Sequence, residues 1–137
     1  MVVAKKQSKG RGKPGSVWYS PEGGLYFSVI MKIKDLDMPQ ITVLTAQSIA
    51  NVIKREYGIQ PEIKKPNDIL VDNKKVCGIL AEKTKKSLII GVGINLNIKD
   101  FPEGLNAASL PADKKIDYLG FLKSVLAEMK NDIIKQC

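Results

Sequence analysis

Hydrophobic positions follow two different periods along the chain, and the change of period separates helices from strands. In residues 38–57 and 117–136, apolar side chains recur every three or four positions, which predicts two amphipathic helices. Runs rich in β-branched and aromatic residues predict strands at residues 2–5, 25–31, 61–65, 69–71, 76–81 and 88–96. Short polar turns separate the last three runs, which is typical of an antiparallel meander.

The order of these elements predicts the fold class. Strands, one long helix, a meander and a final helix indicate an α+β protein with a mixed, largely antiparallel sheet and two main helices. Asp37 is the expected N-cap of the first helix, and Gly58 is its expected C-terminal stop. Residues 98–115, which contain two prolines, are predicted to be a loop. The length of 137 residues suits one domain, over residues 1–137.

Composition narrows the classes of function. The chain has no histidine, which excludes Ser-His-Asp and Cys-His catalysis and any His-ligated zinc site. Two cysteines do not indicate a disulfide framework, and no apolar run approaches the roughly 20 residues of a membrane span. No signal pattern is seen at the N-terminus, so we expect a cytoplasmic protein with no membrane partner.

The net charge of +8 has two interpretations. The simpler one is a lysine-rich, solvated surface. The other is a nucleic-acid footprint, but aromatic residues make up only 6% of the chain and no recognition motif is present. We therefore expect no nucleic-acid partner.

A basic, glycine-rich loop contains the most unusual segment, residues 10–15, which read Gly-Arg-Gly-Lys-Pro-Gly. The glycine spacing matches the dinucleotide fingerprint, but no helix begins at the glycines and a proline lies inside the loop, so that interpretation fails. Glycines let the backbone approach a ligand closely. Arg11 and Lys13 add positive charge, and Trp18 adds a flat face. The loop predicts a site that wraps around a nucleotide or acyl phosphate; a mobile surface loop is the alternative.

Two further segments place polar residues and glycines where a core strand would not need them. One combines residues 64–68, Lys-Lys-Pro-Asn-Asp, with residues 75–79, Lys-Val-Cys-Gly-Ile; the other is residues 91–95, Gly-Val-Gly-Ile-Asn. Taken singly, an ordinary turn or close strand packing explains each of them. A Gly-x-Gly pair, however, keeps one face of a strand free of side chains, which suits a flat ligand. Their occurrence together in one small chain favours a ligand site.

In this order, the motifs resemble the catalytic domain of biotin protein ligases, from residue 2 to about residue 110. The matching segments are residues 7–12 with 18–21 (adenylate loop), 64–68 (Lys-Trp-Pro-Asn-Asp in the family), 75–80 (Lys-x-x-Gly-Ile-Leu), 91–95 (Gly-x-Gly-Ile-Asn) and 108–110. The resemblance implies a fold like that of class II aminoacyl-tRNA synthetases and biotin synthetases. It is specific because several motifs match jointly.

The resemblance also implies a reaction. Biotin would be the substrate, with ATP and Mg²⁺ as cofactors, and biotinyl-5′-AMP would pass its acyl group to a lysine of a biotin carboxyl carrier domain. Lys75, Arg11 and Lys13 are implied as catalytic cations around the carboxyl and α-phosphate, where preorganised charge has the largest effect. The implied substrate-binding residues are Gln7, Gly10, Arg11, Gly12, Lys13, Trp18, Lys75, Gly78, Gly91, Gly93 and Asn95. Asn67 and Asp68 are implied near the phosphates and the metal, whose ligands stay unknown.

The chain also departs from the family pattern. Lys13 stands where an arginine is usual, and Lys65 replaces the usual tryptophan. An upstream biotin-contacting segment, a C-terminal β-barrel and the DNA-binding domain of some members have no counterpart in residues 1–137, so we expect a partial catalytic domain with weak or no activity alone. A homodimer is left open. The alternative functions are a lipoate-type acyl ligase or transferase and a non-catalytic basic binding module.

Overall fold

Six strands and two helices make up the computed structural model, which describes residues 1–32, 37–110 and 116–134. In chain order, the elements are β1 (Val2–Ala4), β2 (Gly24–Lys32), α1 (Met38–Tyr57), β3 (Glu62–Lys64), β4 (Asp68–Val71), β5 (Lys74–Lys83), β6 (Ser87–Asn95) and α2 (Tyr118–Ile134). Part of the predicted loop, residues 111–115, and the predicted helical positions 135–136 lie outside the described residues. All six predicted strands are present, most with ends that differ by one or two residues.

The strands form one sheet in the order β1-β2-β6-β5-β4-β3. All five pairings between neighbouring strands are antiparallel. Parallel contacts among the described residues are isolated bridges, such as the one between Lys75 and Ala107. The predicted α+β class, the largely antiparallel sheet and the meander of β4, β5 and β6 are confirmed.

The two faces of β6 carry different side chains because successive residues of a strand point to opposite sides. The even-numbered positions Leu88, Ile90, Val92 and Ile94 are buried in the hydrophobic core. Both helices pack on this core through buried side chains, which include Ile49, Val52, Ile53, Phe121, Val125 and Met129. The odd-numbered positions include Gly91 and Gly93, so the opposite face has few side chains.

Helix α1 runs from residue 38 to residue 57, as the periodicity predicts. Asp37 occupies the N-cap position, but its side chain makes no capping hydrogen bond. Gly58 ends the helix with a left-handed backbone (φ 65°), and its N–H donates to the carbonyl of Lys54 at 3.1 Å. Helix α2 begins one residue later than predicted because Asp117 caps it: its Oδ1 accepts a hydrogen bond from the N–H of Gly120 at 2.9 Å.

No helix within the described ranges combines the length and the apolar character that crossing a bilayer requires.

Gly58 provides a test of the helix stop that does not involve packing. A Cβ at this position would meet no atom within 4 Å, so the cost of Gly58→Ala is the strain of a left-handed alanine. We expect Gly58→Ala to lower the free energy of unfolding by about 1 kcal/mol in urea denaturation. Gly58→Asn should lose less, because asparagine tolerates this conformation. Equal stability of the alanine variant and the wild type would contradict this account.

Candidate functional site

A cavity of about 520 Å³ lies on the sheet face that is poor in side chains, and no described residue of either helix lines it. Eleven of the thirteen predicted site residues line the cavity: Gln7, Arg11, Gly12, Lys13, Trp18, Asn67, Asp68, Lys75, Gly78, Gly91 and Gly93. Gly10 and Asn95 do not line it. The lining also includes residues that the sequence analysis missed, among them Lys9, Ser16 and Glu82.

The basic loop is a short hairpin of residues 10–18, called here the basic hairpin. Its two arms are joined by hydrogen bonds from the Trp18 N–H to the Gly10 carbonyl (2.9 Å) and from the Gly12 N–H to the Ser16 carbonyl (3.1 Å). The Ser16 N–H closes the turn on the Lys13 carbonyl at 2.8 Å. The expected glycine-rich loop therefore has internal order.

Gly10 is required by packing at the base of the basic hairpin. A Cβ at this buried position would collide with the Trp18 carbonyl oxygen and the Ser20 hydroxyl. Ser20 Oγ donates to Gln7 Oε1 at 3.0 Å, and the Gln7 N–H donates to the Ser20 carbonyl at 2.9 Å. Gln7 and Ser20 thus join the two chain segments that enter and leave the hairpin. A serine near a proline gives no sequence signal for this role.

The indole of Trp18 lies on a floor formed by Gly78 and Gly93, which face each other across the β5–β6 pair. A Cβ at Gly93 would collide with the indole Nε1 and lie 2.7 Å from Cε2, and a Cβ at Gly78 would lie 2.9 Å from Cζ3. Both glycines are needed for this contact. At Gly91 the nearest atom is 3.6 Å from the added Cβ, so that part of the floor is open. The sequence analysis expected a flat ligand on this floor. In the structure, the indole of Trp18 covers the part of the floor formed by Gly78 and Gly93.

Lys75 stands at the start of β5 between an anion and an aromatic ring. Its Nζ is 2.8 Å from Asp68 Oδ1 and 5.0 Å from the centroid of the Trp18 ring. The contact with Asp68 has an ionic distance but not the geometry of a hydrogen bond, so Asp68 Oδ1 is buried without a hydrogen-bond donor among the described residues. The ammonium group is therefore held beside the cavity by charge and by the ring face.

Asn95 and Asn67 act on the backbone around Lys75 and Asp68. The buried Asn95 side chain donates from Nδ2 to the Lys75 carbonyl at 3.3 Å. The Asn67 side chain donates from Nδ2 to the Ile79 carbonyl at 3.2 Å, and the Asn67 backbone carbonyl accepts from the Ile79 N–H at 3.0 Å. The structure thus places Asn95 behind Lys75, outside the cavity lining, although the resemblance implies it as a substrate-binding residue. Asn67 fixes the turn that carries Asp68.

Arg11 forms the second ion pair at the cavity. Its Nη2 donates to both carboxylate oxygens of Glu82 on β5, at 3.0 and 3.1 Å. Of the three predicted catalytic cations, Lys75 and Arg11 lie beside carboxylates, and Lys13 lines the cavity near the tip of the basic hairpin. Together with Lys9, these residues give the cavity a positively charged wall.

Burial raises the pKa of two further groups, the Cys77 thiol and the Tyr26 hydroxyl. It raises the pKa of the Cys77 thiol well above its usual range, and the nearby Lys75 charge offsets only part of this effect. Burial also raises the pKa of Tyr26 to about 12, with smaller contributions from Tyr19 and Tyr118. Tyr26 therefore keeps its proton at neutral pH and donates to the Pro21 carbonyl at 2.6 Å. Cys77 lies in the hydrophobic core and does not line the cavity, so it is not a nucleophile of this site.

The domain is thus a single antiparallel sheet with a basic hairpin folded over a glycine floor. Residues 1–98 match the model of the family described as "Biotin/lipoate A/B protein ligase family", and the chain belongs to this family. The resemblance inferred from the motifs is confirmed.

Individual relatives agree with this assignment. The chain is 41% identical to "Bifunctional ligase/repressor BirA" of Bacillus subtilis, over 92% of this chain and 43% of that protein. A solved structure, biotin protein ligase from Aquifex aeolicus in complex with biotin and ATP, matches with a TM-score of 0.92 and 36% identity, over 97% of this chain and 60% of that one. A lipoate protein ligase chain from Thermoplasma acidophilum, with a TM-score of 0.70 and 14% identity over 87% of this chain and 55% of its own, shares the fold alone. The chain thus spans less than two thirds of each of these proteins.

The contact between Trp18 and the glycine floor can be tested with two matched variants. Gly93→Ala places a methyl group inside the indole, and such overpacking costs about 1–3 kcal/mol, so the indole must leave its position. Gly91→Ala adds the same methyl group to the same strand face without a clash. Trp18 is the sole tryptophan, so acrylamide quenching of its fluorescence reports its exposure. We expect faster quenching for Gly93→Ala than for Gly91→Ala, and equal quenching would rule out the contact.

Proposed function

We propose that this chain supplies the catalytic domain for ATP-dependent biotinylation of a protein lysine by way of biotinyl-5′-AMP. The observation that carries the proposal is the cavity itself, in which a cationic wall of Lys9, Arg11, Lys13 and Lys75 borders a glycine floor that is open at Gly91. A solved relative with this fold and 36% identity is described as a complex with biotin and ATP. The cytoplasm is the compartment in which we expect the reaction.

In the first step, a biotin carboxylate oxygen attacks the α-phosphorus of ATP, and the bond to the β-phosphate oxygen breaks to release pyrophosphate. Negative charge concentrates on the α-phosphate and on the carboxylate during this exchange. Fixed cations stabilise such charge more strongly than mobile water does. Lys75 is held by Asp68 and by the Trp18 ring, and Arg11 is held by Glu82, so both enter the reaction already oriented. Lys13 would add charge from the hairpin tip.

In the second step, the neutral amine of a carrier lysine attacks the acyl carbon of the mixed anhydride. The carbon–oxygen bond to AMP breaks, AMP leaves, and the new amide nitrogen gives up a proton. The carrier is proposed to be a biotin carboxyl carrier domain. That the protein forms a homodimer stays a prediction. Sedimentation at several protein concentrations would measure the oligomeric state.

Mg²⁺ is the proposed metal. No group of three acidic, histidine or cysteine side chains occurs together in the described part of the chain. Mg²⁺ bound to a nucleotide needs only one or two carboxylates besides the phosphates, so Asp68 and Glu82, the two carboxylates that line the cavity among the described residues, are sufficient in number. When bound, the ion would neutralise phosphate charge.

The related lipoate-type reaction is the competing proposal, because the family includes both ligase types. Calorimetric titration of the protein with biotin, with lipoate and with duplex DNA, each with and without ATP, separates these possibilities. We expect heat of binding for biotin, enhanced by ATP. Binding of lipoate in its place would favour the lipoate reaction, and binding of DNA alone would favour a basic binding module.

Substitution of the two paired cations provides the catalytic test. Lys75→Ala and Arg11→Ala each remove charge-assisted contacts worth about 1.5–3 kcal/mol, so we expect pyrophosphate release to fall roughly 10- to 100-fold. Both side chains are partly exposed, and the melting temperature should change little. Lys85→Ala, in the exposed turn between β5 and β6, is the control for loss of one lysine. Normal pyrophosphate release with a large fall in melting temperature would show that the two cations are structural.

A further inference from the structure

The ion pair between Arg11 and Glu82 connects two parts of the molecule that are 71 residues apart in sequence. Arg11 lies in the basic hairpin, and Glu82 lies near the end of β5, in the sheet below it. Trp18, on the opposite arm of the hairpin and next to the Val17 position that pairs with Arg11, rests on the glycine floor. The hairpin is therefore attached to the sheet at two separate points, one apolar and one ionic.

The geometry of the pair leaves one edge of the guanidinium group unused. Both oxygens of Glu82 accept from the same nitrogen, Nη2, at 3.0 and 3.1 Å. The Nε and Nη1 groups of Arg11 have no hydrogen-bond partner among the described residues. A guanidinium group has five N–H donors in a fixed plane, and one edge can bind a carboxylate or phosphate while another nitrogen stays bound elsewhere. Arg11 and Glu82 both line the cavity, so the free edge is within reach of a ligand there.

We propose that Glu82 is a positioning residue. It fixes the direction of the Arg11 guanidinium and holds the basic hairpin over the cavity, and the free edge of Arg11 binds the anionic group of the substrate. The identity of that substrate rests on the proposed function; the attachment of the hairpin does not.

The exposure of the Arg11–Glu82 ion pair limits how much the loss of Glu82 can open the hairpin. The Arg11 and Glu82 side chains are 72% and 41% exposed, and ion pairs of this kind change an equilibrium by up to about five-fold. Loss of Glu82 should therefore shift the hairpin toward open forms without unfolding the domain. The contribution should also decrease with salt, because ions screen exposed charges over about 10 Å at 0.1 M and about 3 Å at 1 M.

The first experiment measures the hairpin without any ligand. Glu82→Gln removes the charge and keeps the shape. Glu62→Gln is the matched control: Glu62 is exposed on the edge strand β3 and does not line the cavity. Acrylamide quenching of the sole tryptophan and trypsin cleavage after Arg11, located by mass spectrometry, both report opening. At low salt we expect about two- to five-fold more opening for Glu82→Gln than for the wild type and for Glu62→Gln. At about 1 M NaCl the three proteins should converge.

A double-mutant cycle tests whether the two residues act as a pair. The cycle is read by acrylamide quenching, because Arg11→Gln removes the trypsin site. Arg11→Gln should open the hairpin as much as Glu82→Gln does, and the double variant should add little to either. Additive effects would mean that the two side chains act separately. Such a result would overturn the proposal. The proposal would also fail if the hairpin of Glu82→Gln opened no more than that of the wild type at low salt.

The second experiment measures catalysis. A positioning role predicts that Glu82→Gln raises KM for biotin or ATP about two- to five-fold in pyrophosphate release, with kcat within about two-fold of the wild type. An unchanged KM would contradict the role. If the wild type neither binds biotin and ATP in calorimetry nor releases pyrophosphate with them, the proposed function fails, while quenching and cleavage without ligand still decide whether Glu82 holds the hairpin.

Discussion

The pairing of β5 with β6 is the constraint on which the site depends, because its register decides what each face of the sheet carries. Gly78 faces Gly93 across this pair, and the neighbouring positions turn aliphatic side chains toward the helices. A shift of one residue would bury the glycines in the core and place the aliphatic side chains in the cavity. The same hydrogen-bond ladder therefore produces the hydrophobic core on one side and the glycine floor on the other.

The cations of the cavity are oriented by neighbouring groups. Lys75 is held from three directions: by Asp68, by the Trp18 ring face and, through its backbone carbonyl, by Asn95. Among the described residues, the Arg11 side chain is paired with Glu82 alone, and it is far more exposed. The two cations should therefore differ in mobility, with Lys75 as a fixed charge and Arg11 as a charge that moves with the basic hairpin.

Much of the site could be predicted from the sequence, because its residues occur in short motifs with glycines at fixed spacing. Arg11, Lys13, Lys75 and Asp68 all line one cavity, as the motifs indicate. Gly10 shows what the motifs do not explain. It belongs to a motif, but glycine is required there because a Cβ would collide with the Trp18 carbonyl and Ser20. Glu82 carries no motif signal because a single glutamate near the end of a strand is common, and its importance depends on what lies above it.

The sequence by itself determined the two helices, the stop at Gly58 and the strand segments, because periodicity and backbone preference are properties of local stretches of chain. It also determined which residues are chemically suited to bind an anionic ligand. The tertiary structure decided the strand order, the placement of Trp18 on Gly78 and Gly93, and the partnership of Arg11 with Glu82. Such contacts join segments far apart in the chain, and they depend on pairing register and on the packing of the hairpin against the sheet, which no local pattern specifies.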